Sequence, residues 1–274
     1  MKLLHEMQSD DQPWLPWLTG GLLVLTLVTF LLATPVSLLR KADLVGYAVC
    51  HQIESHSFAV GGSHLPLCAR CTGTFLGALV GLFGQAVVLR RRKASALPPV
   101  PVLAVLIGFT LLWAADGLNS YLALLVGYHI YEPTNALRLI TGSLNGLTMS
   151  ALIYPIFNVS LWRVPDDRPA IRDLRDLGLL LLMEAALVGI VLSRQPFLLY
   201  PLALLSAGAV LTLLSSVNTV IALIITGRDN SADTWRQALV PIALGLLLGL
   251  LQVGLIDLVR YVLTGTLDGI PELR

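Results

Sequence analysis

Charge is scarce in this chain. Asp, Glu, Lys and Arg make up 13% of its 274 residues, where a soluble globular domain carries about 25%. Cysteine is scarcer still, with three in all. A net charge of +1 leaves no basic surface for a polyanion, so nothing favours a nucleic-acid partner. No internal repeat is apparent. The first residues, Met1-Lys2-Leu3-Leu4-His5-Glu6 with Asp10 and Asp11 behind them, do not read as a secretory signal, and the apolar run that follows is too long for one.

What fills the space is apolar: 55% of residues are hydrophobic and the mean hydropathy is +0.78. Apolar runs long enough to cross a bilayer recur throughout. The expected fold is therefore all-α, a polytopic integral membrane bundle forming one transmembrane domain over 1–274. Seven spans are expected: about Trp14 to Leu39, Ala69 to Leu89, Pro101 to Tyr128, Ala136 to Phe157, Leu177 to Ser193, the Pro196–Pro201 region to Thr226, and Gln237 to Leu263. The stretch 177–274 says least about itself. Basic residues are richer on the side that holds the N-terminus, led by Arg90, Arg91, Arg92 and Lys93. That bias puts the N-terminus inside and the span one–span two loop outside. The expected location is the cell (inner) membrane, multi-pass, with the lipid bilayer as first partner and membrane-protein subunits as possible others.

Small residues suggest one helix pairing. Gly73, Gly77, Gly81 and Gly84 line span two, and Gly142 and Gly146 line span four. Glycines four apart open grooves through which helix backbones approach closely, so spans two and four are expected to pack together.

Soft metal ligands gather in one place, the loop 46–73. Cys50-His51 opens it, His56 and His64 follow, and Cys68 and Cys71 close it. Cys68 and Cys71 are three apart at the start of a helical span, so they share a face. The helix N-terminus and Arg70 favour the thiolates a metal needs. Cys50 stands 18 residues before Cys68, within reach of a folded-back loop. Three sulfurs and an imidazole form a common closed zinc set; an iron–sulfur cluster is the less expected occupant. His51, His56 and His64 all remain candidates for the fourth ligand. A Cys68–Cys71 redox pair with Cys50 as resolving thiol is the competing reading.

These residues also carry a resemblance. Cys50-His51-Gln52 and Pro66-Leu67-Cys68-Ala69-Arg70-Cys71-Thr72-Gly73 resemble the signature of a domain-of-unknown-function family of bacterial and archaeal integral membrane proteins. Thr134, Asn135, Arg138, Thr141 and Gly142 are similar to a second element of it. The likeness runs from about Gly46 to Tyr154. It implies a membrane fold and favours His51 as the family-level ligand, giving the set Cys50, His51, Cys68 and Cys71. It implies no activity.

Ionisable residues inside apolar spans are costly and usually face protein or water. Asp116 and Asn119 share one face of span three. With Asn135 and Arg138 at the head of span four, they are expected to form a polar chamber beneath the cysteine loop, Arg138 being the cation for Asp116. Asp257 and Arg260 are expected to satisfy each other, and Glu184 to hydrogen-bond a neighbouring helix. Three functions follow. One is a metal-structured membrane scaffold or subunit. The second is a metal-dependent hydrolase-type enzyme acting on a lipid or periplasmic substrate, with Glu54, His56 or Asp116 as base. The third is a transporter or a quinone-linked thiol-redox protein. The closed ligand set favours the first.

Overall fold

The computed structural model describes residues 15–33 and 37–269. Trp14, Lys2 and the two chain ends, on which the expected topology partly leaned, lie outside the described residues. Eight α-helices are described: α1 Leu15–Ala33, α2 Leu38–Val49, α3 Ala69–Phe83, α4 Val100–Val126, α5 Asn135–Leu161, α6 Leu174–Leu192, α7 Leu199–Thr226 and α8 Trp235–Thr264. Two short pairs of strands join them. β1 Ser57–Val60 pairs antiparallel with β2 Ser63–Cys68, and β3 Ala94–Ala96 pairs in parallel with β4 Asp166–Pro169.

Among the described residues five helical stretches are long and apolar enough to cross a membrane: Ala69–Val88, Val100–Val126, Asn135–Leu161, Pro196–Thr226 and Trp235–Thr264. The other two expected spans are shorter or more charged. The apolar part of α1 is Trp17–Phe30, and the 19-residue α6 carries Arg175, Asp176 and Glu184. The bundle shows lipid an apolar exterior, with Ile107, Leu111, Val126, Ile225, Leu258 and Leu263 all exposed.

Span one does not run to Leu39. The first helix ends at Ala33, and Leu38 opens a separate helix of 12 residues, far short of the roughly 20 that a bilayer requires. Its first turns hold Arg40, Lys41 and Asp43, while Ala42, Leu44, Val45, Tyr47 and Ala48 are buried. That amphipathic pattern makes it a cap helix lying on α7 and α8. Arg40 ties it to Asp268 at 2.7 Å.

The expected helix pair is present. α3 packs along α5 with backbone on backbone. A Cβ on Gly77 would lie 2.6 Å from the Ser143 carbonyl oxygen, one on Gly73 would lie 2.8 Å from Ser143 N, and one on Gly146 would lie 2.7 Å from Ala78 N. Side chains cannot occupy such gaps, so glycine sets the spacing of the two helices. Gly84 faces Leu180 and Met183 of α6 instead.

The molecule has two ends. At one, β3–β4 joins Lys93 to Asp166, and Arg163 pairs with Asp233 at 3.0 Å. At the other, a cap is built from α2, the β1–β2 hairpin, the 127–134 connection and the segment after α8. Asn135 Nδ2 donates to the Ser55 carbonyl at 3.0 Å, and Arg194 stacks 5.1 Å from the Phe58 ring. The segments that the basic-residue bias assigned to one side therefore fall at one end. Phe58, Val60 and Leu65 of the hairpin bury against Leu76, Leu139, Val191 and Leu202, so the cap shares its core with the bundle.

Candidate metal centre

Each cysteine comes from a different piece of the cap. Cys50 follows the last turn of α2 in extended conformation, its N–H bound to the Gly46 carbonyl at 2.9 Å. Cys68 ends β2 and stands as N-cap of α3, with φ −62° and ψ 161°. Cys71 lies one turn on. The hairpin closes the gap between Cys50 and Cys68. Gly61 and Gly62 take φ of +57° and +84° at its turn, and Ser57 pairs with Cys68 across the strands. Gln52 locks the return. It adopts φ +53°, and its Nε2 donates to both the Asp43 and Pro66 carbonyls at 2.8 Å. α2 and β2 approach so closely that a Cβ on Gly46 would lie 3.0 Å from the Pro66 carbonyl carbon.

The result is a three-sulfur cluster. Sγ of Cys50, Cys68 and Cys71 all lie within 4.8 Å of one another. Cys50 and Cys68 are 4% and 3% exposed. Cys50 Sγ also accepts from the Cys68 N–H at 3.2 Å and the Gln52 N–H at 3.4 Å. The Cys50 thiol is held far below the ordinary thiol range because the Cys68 and Cys71 thiols and these backbone N–H groups point at its sulfur, outweighing burial. Donation to that sulfur pushes the Cys68 thiol up. Soft, crowded, largely dry sulfurs are what a thiophilic ion selects.

Among the described residues this is the one group of three or more metal-ligand side chains so arranged, and no histidine belongs to it. His51 is next to Cys50, but its Nδ1 accepts from the Ile53 N–H at 3.0 Å. An acceptor Nδ1 puts the ring proton of a neutral imidazole on Nε2. Burial pushes the His51 imidazole down, which keeps it neutral. It meets His56 edge-on with centroids 5.5 Å apart. His64 is exposed on β2 opposite Ala59.

The expected polar chamber is divided. Asp116 is buried, 1% exposed, but its cation is Arg70 rather than Arg138. Arg70 Nη2 pairs with Asp116 Oδ2 and also donates to the Asp116 carbonyl at 3.1 Å and Ser120 Oγ at 3.0 Å. Tyr131 OH donates to Asp116 Oδ1 at 3.0 Å. Asn119 pins the connection, accepting from Ile130 N–H at 2.8 Å and donating to the Tyr131 carbonyl at 2.9 Å. Arg138 Nη1 donates to Asn135 Oδ1 at 2.8 Å. The exchange of arginines has a simple cause: Arg70 leaves the first turn of α3 between the two cysteines and points across to α4.

Asp257 and Arg260 do not satisfy each other by a direct bond. Arg260 Nη1 donates to the Tyr47 carbonyl and, at 2.8 Å, to the Cys50 carbonyl, with its guanidinium 3.8 Å from the Tyr47 ring centroid. Asp257 Oδ1 is enclosed without a partner. Glu184 does bond a neighbouring helix, accepting from Ser143 Oγ. Gln52 and Tyr131 are site residues that the sequence did not assign, although Gln52 was visible inside the motif itself. Arg70, expected only to favour the thiolates, also pairs with Asp116, and Arg260, expected to pair with Asp257, instead holds the Cys50 carbonyl.

Residues 50–152 match a family described as "Predicted membrane protein (DUF2085)". An uncharacterized protein of Methanocaldococcus jannaschii is 32% identical over 109 residues, which is 40% of this chain and 64% of that protein. An uncharacterized protein of Methanothermobacter thermautotrophicus is 31% identical over 104 residues, which is 38% of this chain and 83% of that protein. No solved structure matches. The family match spans all three cysteines, Asp116, Asn119, Asn135 and Arg138, and stops before Glu184, Asp257 and Arg260.

Proposed function

We propose that this chain, which belongs to the DUF2085 family of predicted membrane proteins, is a membrane scaffold or subunit whose cap is clamped by one thiophilic divalent ion. The carrying observation is the convergence of Cys50, Cys68 and Cys71 within 4.8 Å. Three thiolates suit zinc by softness and set geometry. His51 supplies the fourth ligand when the metal replaces the Ile53 N–H at its Nδ1. A closed set of that kind does structural work. Its position agrees: the ion would tie the end of α2, the end of β2 and the start of α3, while Arg260 holds the Cys50 carbonyl to α8. The protein sits in the cell membrane with this cap on the outer face, the Arg90–Lys93 end being cytoplasmic.

The second reading is a hydrolase-type metalloenzyme. It draws on the same hydrogen bond, because a His51 that stays on Ile53 leaves the fourth position to water. Metal analysis of protein purified in detergent tests the proposal. The expected result is one zinc per chain and three thiols that resist alkylation until a chelator is added. Cobalt substitution then reads the ligands: a three-sulfur, one-nitrogen spectrum lost in His51→Ala supports the clamp, and a water-exchangeable fourth position supports the enzyme. Protein that takes up no added metal and alkylates freely at all three cysteines overturns both and leaves thiol-redox chemistry.

A further inference from the structure

A cavity of about 140 Å³ lies against the cap helix, between α1, α2 and α8. Phe30 of α1, Leu44 and Val45 of α2 and Val253 of α8 give it apolar walls, and Thr26 and Asp257 are its polar side chains. Gly254 also lines it. That glycine is exposed, and a Cβ there would meet nothing within 4 Å, so this part of the wall is open. An apolar cavity of about 150 Å³ holds one benzene ring. The space between α1, α2 and α8 therefore has room for a single ring or a short alkyl stem.

Both polar groups are acceptors. Asp257 Oδ1 is enclosed without a partner. Arg260, three residues on along α8, makes no direct bond to it, because its guanidinium donates to the Tyr47 and Cys50 carbonyls. Thr26 commits its hydroxyl proton to the Leu22 carbonyl at 2.8 Å, which leaves its oxygen to accept. A carboxylate oxygen shut away from water without a donor is costly, so what this site lacks is a donor. An ammonium group is the complement, with three N–H donors, no acceptor and a positive charge. We propose that the α1–α2–α8 cavity is a binding site for a small apolar amine, a ring or short alkyl stem whose ammonium pairs with Asp257 and donates to Thr26. The stem lies among Phe30, Leu44, Val45 and Val253. The same carboxylate repels an anion, and an uncharged ring of equal size binds by its apolar surface alone. None of the three cysteines lines the cavity, so the site does not depend on the metal clamp.

The probes are benzylamine, toluene and benzoate, one ring with a cationic head, no head and an anionic head. Each is titrated into wild type, Asp257→Asn and Val253→Phe in one detergent at neutral pH. Melting temperature is the readout, and metal content is left as purified. The expected result is a saturable rise in the wild-type melting temperature with benzylamine. It should need a concentration roughly ten- to a hundredfold below that of toluene, the factor supplied by a hydrogen bond to a charged group. Benzoate gives no shift. Asp257→Asn loses most of the preference for benzylamine over toluene. Val253→Phe, which fills the cavity from α8, answers neither. Wild type that responds equally to benzylamine and toluene, or to neither, overturns the proposal. So does an undiminished benzylamine shift in Asp257→Asn or Val253→Phe, since that marks an action of the probe on the micelle or elsewhere on the chain. Should either variant not fold, the order of the three probes on wild type decides alone.

Discussion

Asp116→Asn is the sharpest test of how the cap is held to the bundle. The substitution keeps the shape and removes one charge. Asp116 is 1% exposed and takes a guanidinium from Arg70, a hydroxyl from Tyr131 at 3.0 Å and another from Thr141 at 3.4 Å. Removing one partner of a buried pair costs about 3–5 kcal/mol because the other charge is left uncompensated. Two features lower that here. Arg70's side chain keeps 20% of its exposure, so water recovers part of the lost interaction, and an asparagine oxygen still accepts a hydrogen bond. A loss of about 2–3 kcal/mol is therefore expected, which at about 2–4 °C per kcal/mol for a chain of this size lowers the melting temperature by roughly 4–12 °C. The assay is thermal unfolding in detergent micelles, followed by intrinsic fluorescence, on metal-free protein. The double variant Arg70→Met, Asp116→Asn removes both charges and should melt above Asp116→Asn alone, since contacting residues are non-additive. A single variant that melts with wild type, or a double variant that loses the sum of the two singles, refutes the claim that the pair acts as a unit.

Other substitutions read other parts of the structure. Gly77→Val should separate α3 from α5 and cost at least the roughly 1–3 kcal/mol of an overpacked core, whereas Gly189→Ala, whose added Cβ meets nothing within 4 Å, should be neutral or slightly stabilising; melting temperatures compare them, and equal effects would contradict the seam. Ser143→Ala strips the donor from Glu184 Oε2 while Oε1 already lacks a partner, so a loss of about 1–3 kcal/mol is expected, and an unchanged melt would show that the contact is dispensable. Asp173 caps α6. Its carboxylate accepts the Asp176 and Arg175 N–H groups at 2.9 Å, and these bonds hold it below the usual carboxylate range. A depressed group contributes stability that is complete above its unfolded value and fades as pH falls through its folded one. Asp173→Ala should therefore melt below wild type at neutral pH and alongside it once the wild-type carboxylate is protonated in acid; a gap that persists there would assign the loss to something other than the carboxylate.

Some of this was legible because few residues competed for the role. Three cysteines in one loop admit few arrangements, and the CxxC spacing at a span's start fixed two of them. Glycine recurring at four-residue intervals in two spans named the α3–α5 pair, since glycine spacing and close backbone approach have the same cause. The break at the end of span one was hidden. Leu38 and Leu39 extend an apolar run, and only the alternation of Ala42, Val45 and Ala48 with Arg40, Lys41 and Asp43 distinguishes a cap helix from the end of a span. The hairpin had a signal that went unused, Gly61-Gly62 between short strand-like stretches. The arginines were misassigned because depth alone was used. The direction in which a side chain leaves its helix decides the pair, and Arg70 leaves toward α4, where it meets Asp116. Asp257 and Arg260 failed in the same way: Arg260 turns up to carbonyls of the cap that sequence could not place beside it.

The two fasteners in this protein differ in what they need. The α3–α5 seam is backbone against backbone and depends only on absent side chains, so it holds with or without an ion. The cap has no such glycine seam. Its hairpin has two strands of four and six residues, a size that is marginal by itself in water, and its core side chains are buried against the bundle rather than in a core of its own. Gln52, Arg260 and the Arg70–Asp116 pair position its backbone, yet each joins only one or two segments. The three sulfurs join the C-terminus of α2, the end of β2 and the first turn of α3 at a single point, where a bound ion would add its own binding free energy to the stability of the folded cap. Loss of the ion should then loosen the hairpin and the Cys50 turn while leaving the glycine seam closed, a division that a purely lipid-driven bundle with inert cysteines would not show.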